Sequence, residues 1–218
     1  MTMSFRTRTC VVLAGAATLA LSTATTAAAT EDPPQETTTE EAPVEWPPAD
    51  TDGEWLPVPD ELAQPIVLEA CGSTVTGTTG DVMELEYQAM HQPDGTIRVE
   101  YRGESTLDIA RESDGALLDE LEAGGPGTEI YSADGRSIVF SWEGPSVIFA
   151  FDEVEAAVFA AQGLPSIFYY ESGNTTERVV LSEDPQAPTI ESAEFLTDTA
   201  RGVRDVCDML DLEGHEHH

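Results

Sequence analysis

Between residues 71 and 210 apolar and polar side chains alternate in short runs broken by glycine. Met83, Leu85 and Tyr87 alternate with Glu84, Glu86 and Gln88, the period of two expected of a strand with one buried face. Pro93-Asp94-Gly95 is a turn signal. Beyond it Ile97, Val99 and Tyr101 repeat the pattern with Arg98, Glu100 and Arg102 outward, so the two runs predict an antiparallel hairpin. Across it, Arg98 and Arg102 are placed to face the glutamates of the first strand. Leu107 and Ile109 continue the meander to a turn at Asp114-Gly115. Residues 117–121 fit a strand or a helix, and Gly124-Gly125-Pro126-Gly127 is a break.

The second half is more apolar. Ile138, Phe140 and Trp142 alternate after Asp134-Gly135, and residues 147–151 are apolar on both faces, as in a central strand covered on both sides. Asp152 fits a helix N-cap, with Glu155 at the third helical position and an alanine-rich run ended by Gly163 and Pro165; one short, largely buried helix is expected. Residues 167–170 and 178–181 predict a further hairpin around Ser172-Gly173-Asn174, a turn that also accounts for the formal glycosylation sequon Asn174-Thr175-Thr176. Residues 189–197 give the weakest strand pattern. Val203, Val206, Met209 and Leu210 sit near helical spacing, placing Cys207 on a terminal helical turn. Strands at about ten-residue intervals predict an all-β domain: an antiparallel β-sandwich or open barrel, with one short helix and that terminal helical turn.

The flanks differ in character. Arg6 and Arg8, an apolar run over residues 11–21 and Ala27-Ala28-Ala29 together predict a secretory signal peptide over residues 1–29. Arg6 and Arg8 are split by Thr7 and are not a twin-arginine pair, and Cys10 precedes the apolar run, so it is not placed for lipidation. No later segment reaches the ~18 apolar residues of a membrane span. Residues 30–60 form an acidic linker rich in Pro, Thr and Glu, which like-charge repulsion keeps extended. Trp46 and Trp55 are the exceptions in it, and docking back onto the domain is expected of Trp55. Residues 61–211 are the β-rich domain and 212–218 a histidine-bearing tail.

Charge narrows the partners. The 218 residues carry 42 acids against nine basic residues, all arginine, for a net charge of −33. Cleavage after Ala29 removes two arginines and no acid, giving −35. With no basic stripe, nucleic acid and anionic membranes are excluded as partners, while cations and basic proteins are favoured. The same acidity suits salty surroundings.

Of three cysteines, Cys71 and Cys207 would survive export, and their default in an oxidising compartment is a structural disulfide. Candidate chemistry is otherwise sparse. His91 is the single domain histidine and lies beside a turn, and no G-x-S-x-G, H-E-x-x-H, P-loop or dinucleotide motif is present. Asp50-Thr51-Asp52-Gly53-Glu54 begins like a calcium loop but does not continue with the full set of oxygen ligands at the fixed spacing. Acids are too abundant for a carboxylate pair to be diagnostic. Three of the four histidines cluster in the tail, where His215, Glu216, His217 and His218 could share a divalent metal; no other cofactor is implied. Trp142, Tyr169 and Tyr170 are candidates for an aromatic binding patch, with core packing as the expected use.

The layout of Cys71-Gly72, the strand-punctuating Gly103, Gly135 and Gly144, and the closing Asp205-Val206-Cys207-Asp208-Met209-Leu210 resembles uncharacterised secreted β-rich proteins of high-GC Gram-positive bacteria. It covers roughly residues 65–210 and carries no catalytic residues across. The expectation is a secreted, monomeric, non-enzymatic binding or surface-associated module whose extracellular ligand the sequence leaves unassigned, with a cationic partner favoured by the charge. The alternative is a divalent-metal-handling protein using the tail histidines and surface acids.

Overall fold

A computed structural model describes residues 46–184 and 188–214. In chain order the strands are β1 (Leu56–Pro57), β2 (Ile66–Ala70), β3 (Ser73–Met83), β4 (Glu86–His91), β5 (Ile97–Arg102), β6 (Ser105–Arg111) and β7 (Leu117–Glu122). Then come β8 (Gly127–Tyr131), β9 (Ser137–Glu143), β10 (Ser146–Phe149), helix α1 (Glu153–Ala161), β11 (Ile167–Tyr170), β12 (Asn174–Leu181), β13 (Ile190–Asp198), β14 (Arg204–Asp205) and helix α2 (Val206–Gly214). A single 3-10 turn, Asp60–Leu62, precedes β2. The strands form three antiparallel sheets, ordered β1-β4-β5-β8-β9-β12-β13, β2-β3-β6-β7 and β10-β11-β14, and none closes into a barrel. No described helix is long and apolar enough to cross a membrane.

Alternation of side chains explains how three sheets share two cores. In β10, Ile148 faces one cluster with Tyr101, Phe140 and Trp142 of the seven-stranded sheet, while Val147 and Phe149 face a second with Ile66, Leu107 and Ile109 of the four-stranded sheet. In β11, Phe168 and Tyr170 likewise face the first core, and Ile167 and Tyr169 the second. The three-stranded sheet is therefore a wall between two cores, and all four residues of each of these strands are buried. Burial on both faces is what the unbroken apolar runs encode. β10 is nevertheless an edge strand in hydrogen bonding, paired among the described residues with β11 alone, so the expected central position holds for its faces and not for its ladder.

Three hairpin turns use one device. At Asp94, Asp114 and Asp134 a carboxylate oxygen accepts the N–H two residues on, from Thr96, Ala116 and Arg136, and the following glycine takes a positive φ. The turn between β2 and β3 has two residues, Cys71 and Gly72, at φ 54° and 72°, the left-handed pair that a tight hairpin with native twist requires.

The hairpin expected over residues 83–102 forms as β4 and β5, with Tyr87 opposite Tyr101 and Arg102 paired with Glu86 at 2.7 Å. Arg98 instead bonds Glu100 on its own strand. Met83 belongs to β3 of the other sheet, because the chain crosses between sheets at Glu84 and Leu85. The meander also breaks after β5: β6, with Leu107 and Ile109, pairs with β3 and β7 across the second core. Residues 167–170 and 178–181 do not pair with each other. The first run joins the three-stranded sheet and the second lies between β9 and β13, so Asn174 begins a strand instead of turning a hairpin.

Helix α1 starts where expected. Asp152 Oδ1 accepts from the N–H groups of Val154 and Glu155 at 3.0 Å, and Glu155 reaches back to the N–H of Phe151. The helix is less buried than its alanine content implied, with only Glu155 and Phe159 shielded; it lies on one edge, against β13. Substituting Asp152→Ala should cost about 1 kcal/mol, the usual worth of an N-cap carboxylate, read as a lower urea midpoint at unchanged slope.

Residues before 61 also belong to the fold. Trp46 is 2% exposed in the first core, Thr51 pairs with Ala89 and β1 adds to β4. Residues 46–60 are thus a strap across the seven-stranded sheet. Composition concealed this because three aromatic and aliphatic anchors, Trp46, Leu56 and Val58, hold an otherwise proline-rich and acidic stretch.

Candidate functional site

Among the described residues β2 is the last strand of its sheet, bonded to β3 on one side. Along its other side runs a cleft of about 320 Å³, bordered by Leu68, Glu69 and Ala70 of β2 and by Phe151, Asp152 and Glu153 at the start of α1. Buried Ile167 also contributes to the lining. That volume is at the lower end for ligand-binding clefts. Three lining residues are acids and none is basic. Glu69 and Glu153 are exposed. Glu69 Oε1 accepts from the Thr74 hydroxyl at 3.0 Å, and Asp152 is occupied in capping α1. Carboxylates beside the apolar surface of Leu68, Phe151 and Ala156 suit a cation that carries an aliphatic body.

A second concentration of acid lies where β3, β6 and β7 slip register. Asp108, Asp119 and Glu120 bring carboxylate oxygens within 4.8 Å of one another. Two of its three groups, Glu120 and Asp108, are used within the fold. Glu120, at φ 52°, accepts from Asp81 N at 2.7 Å and from the Thr106 hydroxyl at 2.5 Å, and Asp108 accepts from Glu120 N at 2.9 Å. The cluster clamps the irregular ladder.

The third place is enclosed. Glu129 of β8 is 0% exposed and forms no ion pair among the described residues. Tyr131 donates to its Oε2 at 2.5 Å and itself accepts from the Trp46 indole at 3.2 Å. Trp46 in turn packs edge-on to Tyr87, 5.1 Å between ring centres. Burial pushes the Glu129 carboxyl up to about 8, against hydrogen bonds from Tyr131, Tyr101 and Trp46 that pull it down. A group with no exposed surface offers nothing to a ligand, so Glu129 anchors the strap through Tyr131.

The residues singled out from sequence fall as follows. Cys71 and Cys207 are bonded, with Cα atoms 5.1 Å apart, joining the β2–β3 turn to the first residues of α2. Trp142, Tyr169 and Tyr170 are buried and present no aromatic patch. Tyr170 donates to the Trp142 carbonyl, and Trp142 lies so close on Gly127 that a Cβ there would sit 1.9 Å from its ring. Trp55 stays partly exposed, under the Arg102 guanidinium at 4.1 Å from its ring centre. His91 is exposed, its Nε2 at 3.2 Å from the Pro48 carbonyl. Both Asp50 oxygens accept backbone N–H groups, from Asp52 and His91, which hold its carboxyl below the usual range. Asp50 therefore ties the strap to β4. The tail residues His215, Glu216, His217 and His218 lie outside the described residues, as do residues 1–45, the expected signal peptide and most of the acidic linker among them.

Sequence reading passed over the cleft and over Glu129. The cleft joins residues about 80 positions apart, and its one local signal was the helix cap at Asp152. Glu129 hid a whole strand: in residues 127–131 the inward positions are Gly127, Glu129 and Tyr131, so counting Glu as polar inverts the faces. No protein-family model matches the sequence, and no curated protein or solved structure matches the chain.

Proposed function

We propose that the chain is an exported, non-enzymatic binding module that takes a cationic partner at the cleft between β2 and the start of α1. The observation that carries this reading is the lining of that cleft, with Glu69, Asp152 and Glu153 set against Leu68, Phe151 and Ala156 and no basic residue among them. A net charge of −33 supports it by steering basic partners in and repelling acidic ones. The Cys71–Cys207 bridge fits an oxidising compartment. With all five tyrosines, Trp46 and Trp142 buried and Trp55 covered by the Arg102 guanidinium, the surface offers charge and backbone for recognition, not an aromatic platform.

The test is a calorimetric titration of the mature protein with hexa-arginine and with hexa-glutamate. Hexa-arginine should bind, weakening as salt rises. Reversing charge at both exposed acids, Glu69→Arg with Glu153→Arg, should weaken it about fivefold or more, because each exposed pair is worth about 0.2–1 kcal/mol and reversal adds repulsion. Hexa-arginine binding unaffected by the double reversal would remove the cleft as the site.

A further inference from the structure

We infer that the partner enters the cleft as an extended basic segment that adds to the free edge of β2 as a fifth strand of the β2-β3-β6-β7 sheet. This rests on the cationic-partner reading above and specifies how the partner is held.

The cleft is touched by three consecutive residues of β2, Leu68, Glu69 and Ala70, and by none of β3. Successive strand residues point to opposite faces, so a space meeting all three lies along the strand's edge, not on one face of the sheet. The register fixes what that edge offers. Ala70 opposes Ser73 across the two-residue turn, and Leu68 opposes Val75. Those are the pairs that exchange hydrogen bonds in a tight hairpin, so the N–H and C=O of Glu69, and of Val67 before it, project away from β3. Both residues are exposed, and among the described residues β2 has no second neighbour in its sheet. Open backbone groups beside a cleft are a template for another strand.

The faces specify the guest's side chains. Ile66, Leu68 and Ala70 belong to the inner face, packed with the second core, while Val67 and Glu69 lie on the outer one. A strand added here sends alternate residues inward beside Leu68 and Phe151 and the others outward beside Glu69. That selects an alternation of aliphatic and basic residues. Two stretches of this chain are ruled out as the guest: residues 30–45 contain no basic residue and residues 215–218 read His-Glu-His-His.

An eight-residue peptide alternating arginine and valine, titrated into the isotopically labelled mature protein, tests this. Two analogues carry N-methyl groups, one on the arginines and one on the valines, since only one of these sets turns its N–H toward β2. At saturation the unmodified peptide should slow hydrogen exchange at the Glu69 amide about tenfold or more. One analogue should lose about tenfold in affinity while the other keeps it. Equal affinity for all three peptides, with Glu69 exchange unchanged, would overturn strand addition and leave a cationic site held by side chains alone. No binding of any arginine peptide, hexa-arginine included, would overturn both readings.

Discussion

Stability should fall as pH rises from 5 to 9, and Glu129→Gln should abolish most of that fall. The folded carboxyl titrates near 8 and an ordinary glutamate near 4.5. Between those values the folded chain binds a proton that the unfolded chain has released. Stability then drops by about 1.4 kcal/mol per pH unit. The contribution is complete below about 4.5, declines through the interval and is gone above about 8, a total of roughly 4–5 kcal/mol. The groups that meet Glu129 are Tyr131 on its own strand, Tyr101 on β5 and Trp46 on the strap; none supplies a positive charge to offset ionisation. The raised value of Tyr87, which packs on Trp46, also comes from burial and concerns the range above 10. The carboxylates held low, such as Asp114 at about 2, act in the opposite sense and at the acid end: their stabilisation is lost as pH falls below about 4. The two windows are separate. Urea unfolding at pH 5, 7 and 9 should therefore give diverging curves, with Glu129→Gln the more stable protein at pH 9. Parallel profiles for the two proteins would show that Glu129 is already ionised in the fold at neutral pH.

How far the sequence disclosed this architecture can be judged element by element. Period-two runs identified β4, β5, β9 and the all-β class because each has one face in a core and one toward solvent or polar neighbours. The Asp-Gly turns were equally legible, since the aspartate and the glycine each perform a local task. What failed was long-range. Whether β6 follows β5 in one sheet or crosses to another depends on which core its inner face meets, and Leu107 and Ile109 look the same in either. Residues 167–170 read as half of a hairpin because the wall between two cores needs apolar residues on both faces, and that pattern names no neighbour. The strap was hidden by its proline and acid content although Trp46 carries its attachment. At the candidate site, neither Glu69 nor Glu153 is distinguishable from the other acids until β2 proves to be an edge and the start of α1 comes to lie across from it.

Reducing the Cys71–Cys207 bridge should lower the folding free energy by about 4–5 kcal/mol, the loop-closure entropy for 136 residues of separation. That is a large fraction of the stability of a typical domain. The local sequence argues that the bridge dominates at this position. Cys71 sits at φ 54° in the first place of a two-residue hairpin turn, where asparagine or glycine is the ordinary occupant. A side chain there costs roughly 1–2 kcal/mol in backbone strain. At the other end, α2 has further holds on the domain: Val206 and Leu210 are fully buried in the second core, and Asp211 pairs with the buried Arg111 at 2.5 Å, which also binds Asp114. The helix should therefore stay docked after reduction, and the loss should come from the unfolded chain's gain in freedom. Two variants separate the contributions. Cys71→Ser with Cys207→Ser keeps the strained turn and loses the bridge. Cys71→Gly with Cys207→Ser loses the bridge and relieves the strain, so it should recover about 1 kcal/mol of the loss. Urea unfolding of the oxidised protein and both variants gives the three free energies. A double-serine variant within about 1 kcal/mol of the oxidised protein would mean that the unfolded chain is already compact enough for the bridge to constrain little.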